Sequence, residues 1–404
     1  MRAYERLLRY VQVYTTSDEE STSVPTAARE FDLAIQVAEE LKALGVADAH
    51  VDGSCYVYGH IPATPGYEKK PRIGFIAHLD TAPDFCGENV KPVIHENYDG
   101  KDVALGAGRV LSAKTFPHLR KLKGRTLITA DGTTLLGADD KAGVAEIVTM
   151  AERLLAGEIP HGPVSIAFTP DEEVGAGAAH FDLEEFAADF AYTVDGGPEG
   201  EIVFENFNAA SARAEFAGFN IHPGEAKDKM VNAQLVAMEF HAMLPAGDAP
   251  RFTQGYEGFF HLCAMEGSVE KAGLVYIIRD HDRAKFEARK ELLRQNAEIL
   301  NDKYGPGTVK LSMRDQYYNM YDKVLPNRHL IDNAFAAIKA VGLKPRTEPI
   351  RGGTDGAMLS YQGLPCPNLG TGGYAFHGPY EHITAEGMDI CTDILVGILR
   401  EYAK

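Results

Sequence analysis

Short apolar runs alternate with amphipathic stretches over the first two hundred residues of the chain. Residues 26–44 carry apolar side chains at helical spacing and stop at Gly45, a pattern typical of a helix with a glycine cap. Runs such as 72–80 and 164–173 are short, apolar and bounded by turn residues, as buried strands are. The stretch 141–158 has helical spacing again. This alternation predicts an α/β fold with a mostly parallel sheet that is covered by helices on both faces.

The order of the predicted elements changes over residues 209–322. There the pattern is strand, helix, strand, strand, helix, strand, which is the order of a ferredoxin-like α+β unit. The earlier pattern resumes with a helix over 329–342 and a closing helix that begins near Glu386. We therefore predict a discontinuous α/β domain formed by residues 1–208 and 323–404, interrupted by a smaller domain over 209–322.

The charge balance narrows the possible classes of function. The chain has 404 residues, with 40 Lys and Arg against 58 Asp and Glu and a net charge of −18. Such a surface repels phosphate backbones, and no basic patch is evident, so nucleic-acid binding is not expected. No apolar run approaches the ~20 residues of a membrane span, and the N-terminus lacks the apolar core of a signal peptide. Five scattered cysteines without a paired motif are typical of reduced thiols, so we expect a cytoplasmic protein.

Potential metal ligands follow four of the predicted strands. These residues are His78 with Asp80, Asp139 with Asp140, Asp171 with Glu172 and Glu173, and Asp195. A fifth candidate, His377, follows a glycine-rich turn, with His382 as a second imidazole nearby. Taken alone, each segment is more simply a turn, a helix cap or a strand-end hydrogen bond. Because ligands bind beyond the carboxyl ends of strands in open α/β sheets, we expect the segments to converge on one site.

The predicted cluster contains imidazoles and carboxylates but no thiolate. That mixture suits a hydrolytic site for Zn²⁺, Mn²⁺ or Co²⁺. Two histidines with three or four carboxylates exceed the ligand shell of one tetrahedral zinc ion, so we expect two ions bridged by a carboxylate. On ligand chemistry alone, Asp139 and Asp140 are equal candidates for the bridge.

The segments that carry these residues resemble the motifs of one family along nearly the whole chain. In chain order they are GFIAHLDTAPD, LLGADDKAG, AFTPDEEVG, YTVDGG, NIHPG, YEGF, IRGGTDGA, and GLPCPN followed by TGGYAFHG. They are similar to the tripeptide aminopeptidase branch of the di-zinc aminoacylase/carboxypeptidase metallopeptidases. The resemblance implies a zinc-binding α/β catalytic domain interrupted by a smaller α+β lid domain, through which two copies form a homodimer.

The resemblance also implies a metal ligand set. His78 and Asp195 bind one zinc ion, Glu173 and His377 bind the other, and Asp139 bridges the two. Cobalt or manganese are possible substitutes for zinc.

The same resemblance implies roles for three further residues near the metals. Asp80 orients the ring of His78 from behind. Glu172 is the general base that generates a metal-bridging hydroxide for attack on the first peptide carbonyl, and it then protonates the leaving amine. His222, supplied by the lid domain of the partner subunit, donates a hydrogen bond to the oxyanion.

A small peptide also presents a carboxylate that the site must bind. Arg279 and Arg351 are candidates, because a guanidinium group binds a carboxylate through two parallel hydrogen bonds. Arg279 has alternative partners in Asp280 and Asp282, which are close to it in sequence.

The sequence thus predicts a zinc aminopeptidase that removes the N-terminal residue from tripeptides and binds neither nucleic acid nor membranes. The alternative is a related di-zinc hydrolase of the same family, which would be a dipeptidase, a carboxypeptidase or an N-acyl amino acid amidohydrolase. His382 has no role in either prediction.

Overall fold

The computed structural model describes all 404 residues and divides into two compact units. The first unit consists of Met1–Phe204, Asp322–Glu348 and Thr354–Lys404, and the second of Glu205–Tyr321 and Pro349–Gly353. The segment 349–353, which we expected in the α/β domain, therefore lies in the second unit.

Helices and strands alternate along most of the chain. The helices are α1 Ala3–Tyr10, α2 Glu30–Leu44, α3 Ala138–Leu155, α4 Leu183–Phe186, α5 Ala233–Ala242, α6 Arg283–Tyr304, α7 Tyr321–Val324, α8 His329–Ala340, α9 Asp355–Gln362 and α10 Ala385–Ala403. The strands of the first unit are β1 His50–Val51, β2 Val57–Ile61, β3 Ile73–His78, β4 Pro92–His95, β5 Val103–Ala104, β6 Val110–Leu111, β7 Leu127–Ala130, β8 Val164–Thr169, β9 Phe190–Val194, β10 Ile202–Val203, β15 Asn368–Leu369, β16 Gly373–Tyr374 and β17 His382–Thr384. Those of the second unit are β11 Asn208–Ala217, β12 Phe259–Gly267, β13 Lys271–Asp280 and β14 Val309–Tyr317.

The main sheet of the first unit has seven strands in the order β1-β2-β8-β3-β9-β15-β10. Its central strands pair in parallel, whereas the outer pairs are antiparallel. The predicted α/β class is confirmed, but the expected mostly parallel sheet is a mixed one. The reason is partly local: only residues 52–56 connect β1 to β2, which is too short for the crossover that a parallel pair needs.

Helices cover both faces of this sheet. Every residue of β3 and β8 is buried, as the continuous apolar runs predict. One face packs on α3. On the other face, Ile76 and Ala167 share a core cluster with Phe186 of α4 and Leu359 of α9. The central strands are therefore fixed on both sides, so side chains at their carboxyl ends are held in place.

A second sheet of the first unit was not evident from the sequence. It is antiparallel, with four strands in the order β16-β17-β7-β4. Its strands are only two to four residues long, which is too short to give a clear periodicity.

The second unit is a four-stranded antiparallel sheet in the order β12-β13-β11-β14. Helices α5 and α6 pack on it around a core that includes Phe216, Phe240, Leu274 and Phe286. Together with the βαββαβ order along the chain, this is the ferredoxin-like arrangement that the sequence predicts. Judged by length and hydropathy, every helix of the structure falls short of a membrane span.

Candidate metal centre

A cluster of histidine and carboxylate side chains lies at the carboxyl ends of the central strands. β3 ends at His78, which is in parallel register with Thr169 at the end of β8. Asp195 directly follows β9, the other parallel neighbour of β3. Parallel strands present the same end at one edge of a sheet, which is why residues distant in sequence meet here.

A sharp turn after β8 places two glutamates at this edge. Asp171 has a φ of 58° and Gly175 a φ of 73°, and they flank the single 3₁₀ turn Glu172–Val174. The two carboxylate oxygens of Asp80 accept the backbone N–H groups of Glu172 at 3.0 Å and Glu173 at 3.1 Å. Asp80 therefore holds the turn that carries both glutamates.

Asp80 also contacts His78, the residue that we expected it to orient. Its Oδ1 atom lies 3.3 Å from His78 Nδ1, and its backbone carbonyl lies 3.1 Å from the same nitrogen. A hydrogen bond at Nδ1 leaves Nε2 free to face the cluster.

Five of the predicted ligands form two groups that meet at Asp139. In the first group, His78 Nε2 lies 3.1 Å from Asp139 Oδ1 and 3.7 Å from Asp195 Oδ1. In the second, His377 Nε2 lies 3.0 Å from Glu173 Oε2 and 3.4 Å from Asp139 Oδ2. Asp139 thus directs one oxygen to each imidazole. His78 is buried and the His377 side chain is 43% exposed, so the cluster opens to solvent beside His377.

Asp139 and Asp140, which the ligand chemistry alone left equivalent, have different environments. Both stand at the start of α3 with non-helical backbone angles. Asp140 is fully buried, and its Oδ2 atom accepts the backbone N–H of His78 at 3.1 Å. It can join His78 and Asp195 in one group of donor atoms, but only Asp139 contacts both imidazoles.

The electrostatics of the cluster fit a bound cation. Burial raises the pKa of Glu173 to about 7. Burial also raises the pKa of Asp195, and the negative charge of the neighbouring Asp139 adds to that rise. Hydrogen bonds to Asp139 and Glu173 raise the pKa of His377 to about 11. The buried Oε1 atom of Glu173 has no hydrogen-bond partner. Carboxylates gathered in this way need positive charge, and two divalent cations would supply it through oxygen and imidazole donors.

Glu172 lies beside the ligands without joining either group. Burial raises the pKa of its carboxyl well above the usual range; His78 opposes the rise, and the nearby carboxylates of Asp195 and Asp355 add to it. Asp355, in the motif IRGGTDGA, was missed by the sequence analysis. It is buried, accepts a hydrogen bond from Thr169 Oγ1 at 2.8 Å, and has a pKa raised to about 7 by burial.

Asp84 is a partner of His377 that could not be recognised from the sequence. Asp84 Oδ2 lies 3.1 Å from His377 Nδ1, so it orients the ring with Nε2 towards Glu173 and Asp139. An aspartate in an exposed turn carries no signal of its own in the sequence, and only the fold brings it to a histidine 293 residues away.

A third residue that the sequence analysis missed is Glu381, which anchors the loop that carries Asp139. Its Oε2 atom accepts the backbone N–H groups of Leu136 and Gly137, both at 2.8 Å, and its Oε1 atom accepts that of Asp139 at 2.9 Å. Burial raises the pKa of Glu381 to about 7, although these N–H groups favour the charged form. The position of Asp139 is therefore fixed from a different part of the chain.

Replacing Glu381 with Gln is expected to weaken metal binding as well as stability. A glutamine has one acceptor oxygen, so at least one buried N–H would lose its partner, at a cost of about 1–3 kcal/mol in the free energy of unfolding. Urea unfolding and a metal titration measure the two effects. Glu386→Gln is the control, because Glu386 similarly accepts the N–H and hydroxyl of Thr126 at a different place. Equal metal affinity in the two variants would contradict the role given to Glu381.

The second unit contains His222, which is exposed at the start of a 3₁₀ turn. Its Nδ1 atom accepts the backbone N–H of Gly224 at 3.2 Å. In the neutral ring this leaves Nε2 as a hydrogen-bond donor.

The two arginines predicted to bind the substrate carboxylate are both engaged within the second unit. Arg279 donates to the backbone carbonyls of Ala210 and Ile278 at 3.3 and 3.0 Å, rather than to the aspartates next to it in sequence. Arg351 donates to carbonyls and a hydroxyl in the loop 253–257 at 2.7 to 2.9 Å. The structure therefore gives each guanidinium group hydrogen-bond partners within its own unit.

Comparison with known proteins identifies the family. A family described as peptidase family M20/M25/M40 matches residues 129–401. A protein named Peptidase T from Clostridium novyi (strain NT) is 53% identical over 402 residues, which cover 99% of this chain and 98% of that protein. The crystal structures of aminopeptidase PepT from Bacillus cereus ATCC 10987 and of a tripeptidase from Staphylococcus aureus subsp. aureus mu50 share the fold. Each superposition covers 100% of this chain and 98% of the other chain. The TM-score is 0.79 at 24% identity for the Bacillus cereus protein and 0.80 at 22% identity for the Staphylococcus aureus protein.

These similarities extend over the whole chain, including both units and every segment of the metal cluster, and they confirm the resemblance that the motifs carry. The chain belongs to peptidase family M20/M25/M40.

Proposed function

We propose that the chain is a metal-dependent aminopeptidase that removes the N-terminal residue from tripeptides. The observation that carries this proposal is the shared carboxylate of Asp139 between two imidazole groups, in a chain 53% identical to a Peptidase T over its full length. The first unit would be the catalytic domain, and the second a lid through which two copies form a homodimer. We place the enzyme in the cytoplasm on the basis of its thiol pattern and motifs.

We propose zinc as the metal, with cobalt or manganese as possible substitutes. His78 and Asp195 would hold one ion, Glu173 and His377 the other, and Asp139 both. When bound, two such ions lower the pKa of a shared water molecule and polarise a peptide carbonyl.

Proton transfer falls to Glu172, which lies next to the ligands without being one of them. A carboxyl with a raised pKa accepts a proton from the attacking water and passes it to the amine nitrogen of the leaving dipeptide. The C–N bond breaks as the amine takes that proton. Asp80 supports the step indirectly, because it holds the backbone of Glu172.

His222 is the proposed oxyanion donor, supplied by the partner subunit. The exposure of its side chain and the hydrogen bond at Nδ1 support this role, since they leave the Nε2–H group as a donor. Arg351 and Arg279 remain proposed contacts for the peptide carboxylate. A guanidinium group has five N–H donors, more than the two or three hydrogen bonds that each of these arginines makes in the fold.

The proposed reaction is tested with a free tripeptide and its N-acetylated twin, each with and without a chelator, and products are identified by mass spectrometry. We expect the N-terminal residue alone to be released from the free peptide, and the chelator to abolish that release. The acetylated twin should be resistant, because a free α-amine is part of what an aminopeptidase recognises.

The other outcomes separate the alternatives. Cleavage of the acetylated twin, or release of the C-terminal residue, would contradict the aminopeptidase and favour a related di-zinc amidohydrolase or carboxypeptidase. Absence of cleavage with zinc, cobalt or manganese restored would contradict the proposed function.

A further inference from the structure

The first unit contains a cavity of about 520 Å³ that none of the metal-cluster residues lines. Its walls come from the 3₁₀ turn Pro117–Leu122, the segment that follows Asp195, residues 343–348, and Tyr374 of β16. The cavity is therefore built by four segments that are far apart in sequence but all belong to the same unit.

Four cations line this cavity in a chain whose net charge is −18. Arg125 is paired with Glu199 at 2.7 Å, and Tyr374 Oη also donates to Glu199 at 3.2 Å, so that carboxylate is satisfied. Lys121, Lys344 and Arg346 are exposed and form no ion pair in the structure.

Two other carboxylates lie near the unpaired cations. Glu348 also lines the cavity and forms no ion pair. Glu201 is close to Arg346, but burial and the charge of Glu348 raise its pKa to about 7, so it is only partly ionised at neutral pH. The cavity therefore keeps an excess of positive charge.

A rigid aromatic wall completes the cavity. The ring of Tyr374 stacks on that of His118 with centroids 4.2 Å apart, and His118 Nε2 lies 2.8 Å from Nε2 of the buried His382. Burial lowers the pKa of His382 to about 4 and also lowers the pKa of His118, so both imidazoles are neutral. This gives His382 a place in the structure: it supports the cavity wall rather than the metal cluster.

We propose that this cavity is a binding site for a small anion with two or more negative charges, of the phosphate or polycarboxylate type. Lysine and arginine bind such groups through charge-assisted hydrogen bonds, and three unpaired cations around one cavity can contact several ligand oxygens at once. The wall of Tyr374 and His118 offers an apolar surface for the rest of the ligand. None of the proposed metal ligands lines the cavity, and the proposal does not depend on the peptidase chemistry.

Binding is tested by calorimetric titration of the full chain with inorganic pyrophosphate and, separately, with citrate, at constant ionic strength in sodium chloride. The double variant Lys344→Ala/Arg346→Ala is compared with the control Lys69→Ala/Arg400→Ala, which removes the same charges from exposed positions outside the cavity. All four positions are exposed, so both variants should fold, and circular dichroism checks this.

We expect the cavity variant to bind at least one of the two anions about tenfold more weakly than the control, or weaker still, since each lost charge-assisted hydrogen bond removes affinity. The metal cluster is identical in the two variants, so any binding there cancels in the comparison. Tighter binding of pyrophosphate would identify phosphate compounds as the ligand class, and tighter binding of citrate would identify polycarboxylates. The proposal would be overturned if the two variants bound both anions with equal affinity, or if the full chain bound neither anion.

Discussion

Replacing Glu172 with Gln is expected to lower kcat for tripeptide cleavage by about 10²–10⁴-fold, the range for loss of a general base. The amide cannot accept the proton of the attacking water, and it cannot return one to the leaving amine. The metal content should stay at the level of the unsubstituted chain, because Glu172 belongs to neither group of ligand atoms. Steady-state kinetics and metal analysis of the same preparation measure both quantities.

Glu184→Gln serves as the matched control for this variant. Glu184 is exposed in the short helix α4, and its replacement removes the same charge away from the cluster. A Glu172→Gln enzyme that keeps the kcat of this control would show that another group carries the proton. Loss of metal from the Glu172 variant would instead place Glu172 among the ligands.

The second large effect is expected from Asp139→Asn. Each oxygen of Asp139 faces a different imidazole, so the change removes negative charge from both groups of ligands at once. We expect weaker binding of both metal ions and a loss of activity of at least about 100-fold, beyond the roughly 10–100-fold effects typical of outer-shell partners. Metal analysis after dialysis and a kinetic assay at saturating metal measure the two effects.

Asp140→Asn is the informative comparison, because it changes the adjacent residue in the same way. The Oδ1 atom of an asparagine can still accept the backbone N–H of His78, so this variant should retain its metal. If Asp140→Asn lost metal as readily as Asp139→Asn, the assignment of Asp139 as the shared ligand would be wrong, and Asp140 would be a ligand too.

The position of the metal cluster could be predicted because it follows from strand direction. His78, Glu173 and Asp195 each come after a buried apolar run, and parallel pairing of those runs leaves only one edge where they can meet. The hydrophobic periodicity could not decide whether Asp139 or Asp140 faces the two imidazoles, since both side chains are acidic and the backbone at both residues is irregular. Family resemblance favoured Asp139, and the structure shows that it alone contacts both imidazoles.

The residues that hold the ligands in place could not be predicted. Asp84 contacts His377, 293 residues away in sequence, and Glu381 contacts Asp139, 242 residues away. Neither residue lies in an apolar pattern that fixes its position. Arg351 shows the converse limit. The sequence marked Arg351 as a candidate contact for the substrate carboxylate, but it carried no signal for the three hydrogen bonds that its guanidinium group donates within the second unit.

The anchoring of Asp139 by Glu381 has a consequence for the order of events during synthesis. His377 and Glu381 come after the inserted unit in chain order, and the four other proposed ligands come before it. A ribosome-bound chain that lacks them would hold the remaining proposed ligands without the second imidazole and without the anchor of the loop that carries Asp139. The metal centre would therefore assemble only late in translation, which would keep incomplete chains from becoming active peptidases in the compartment where they are made.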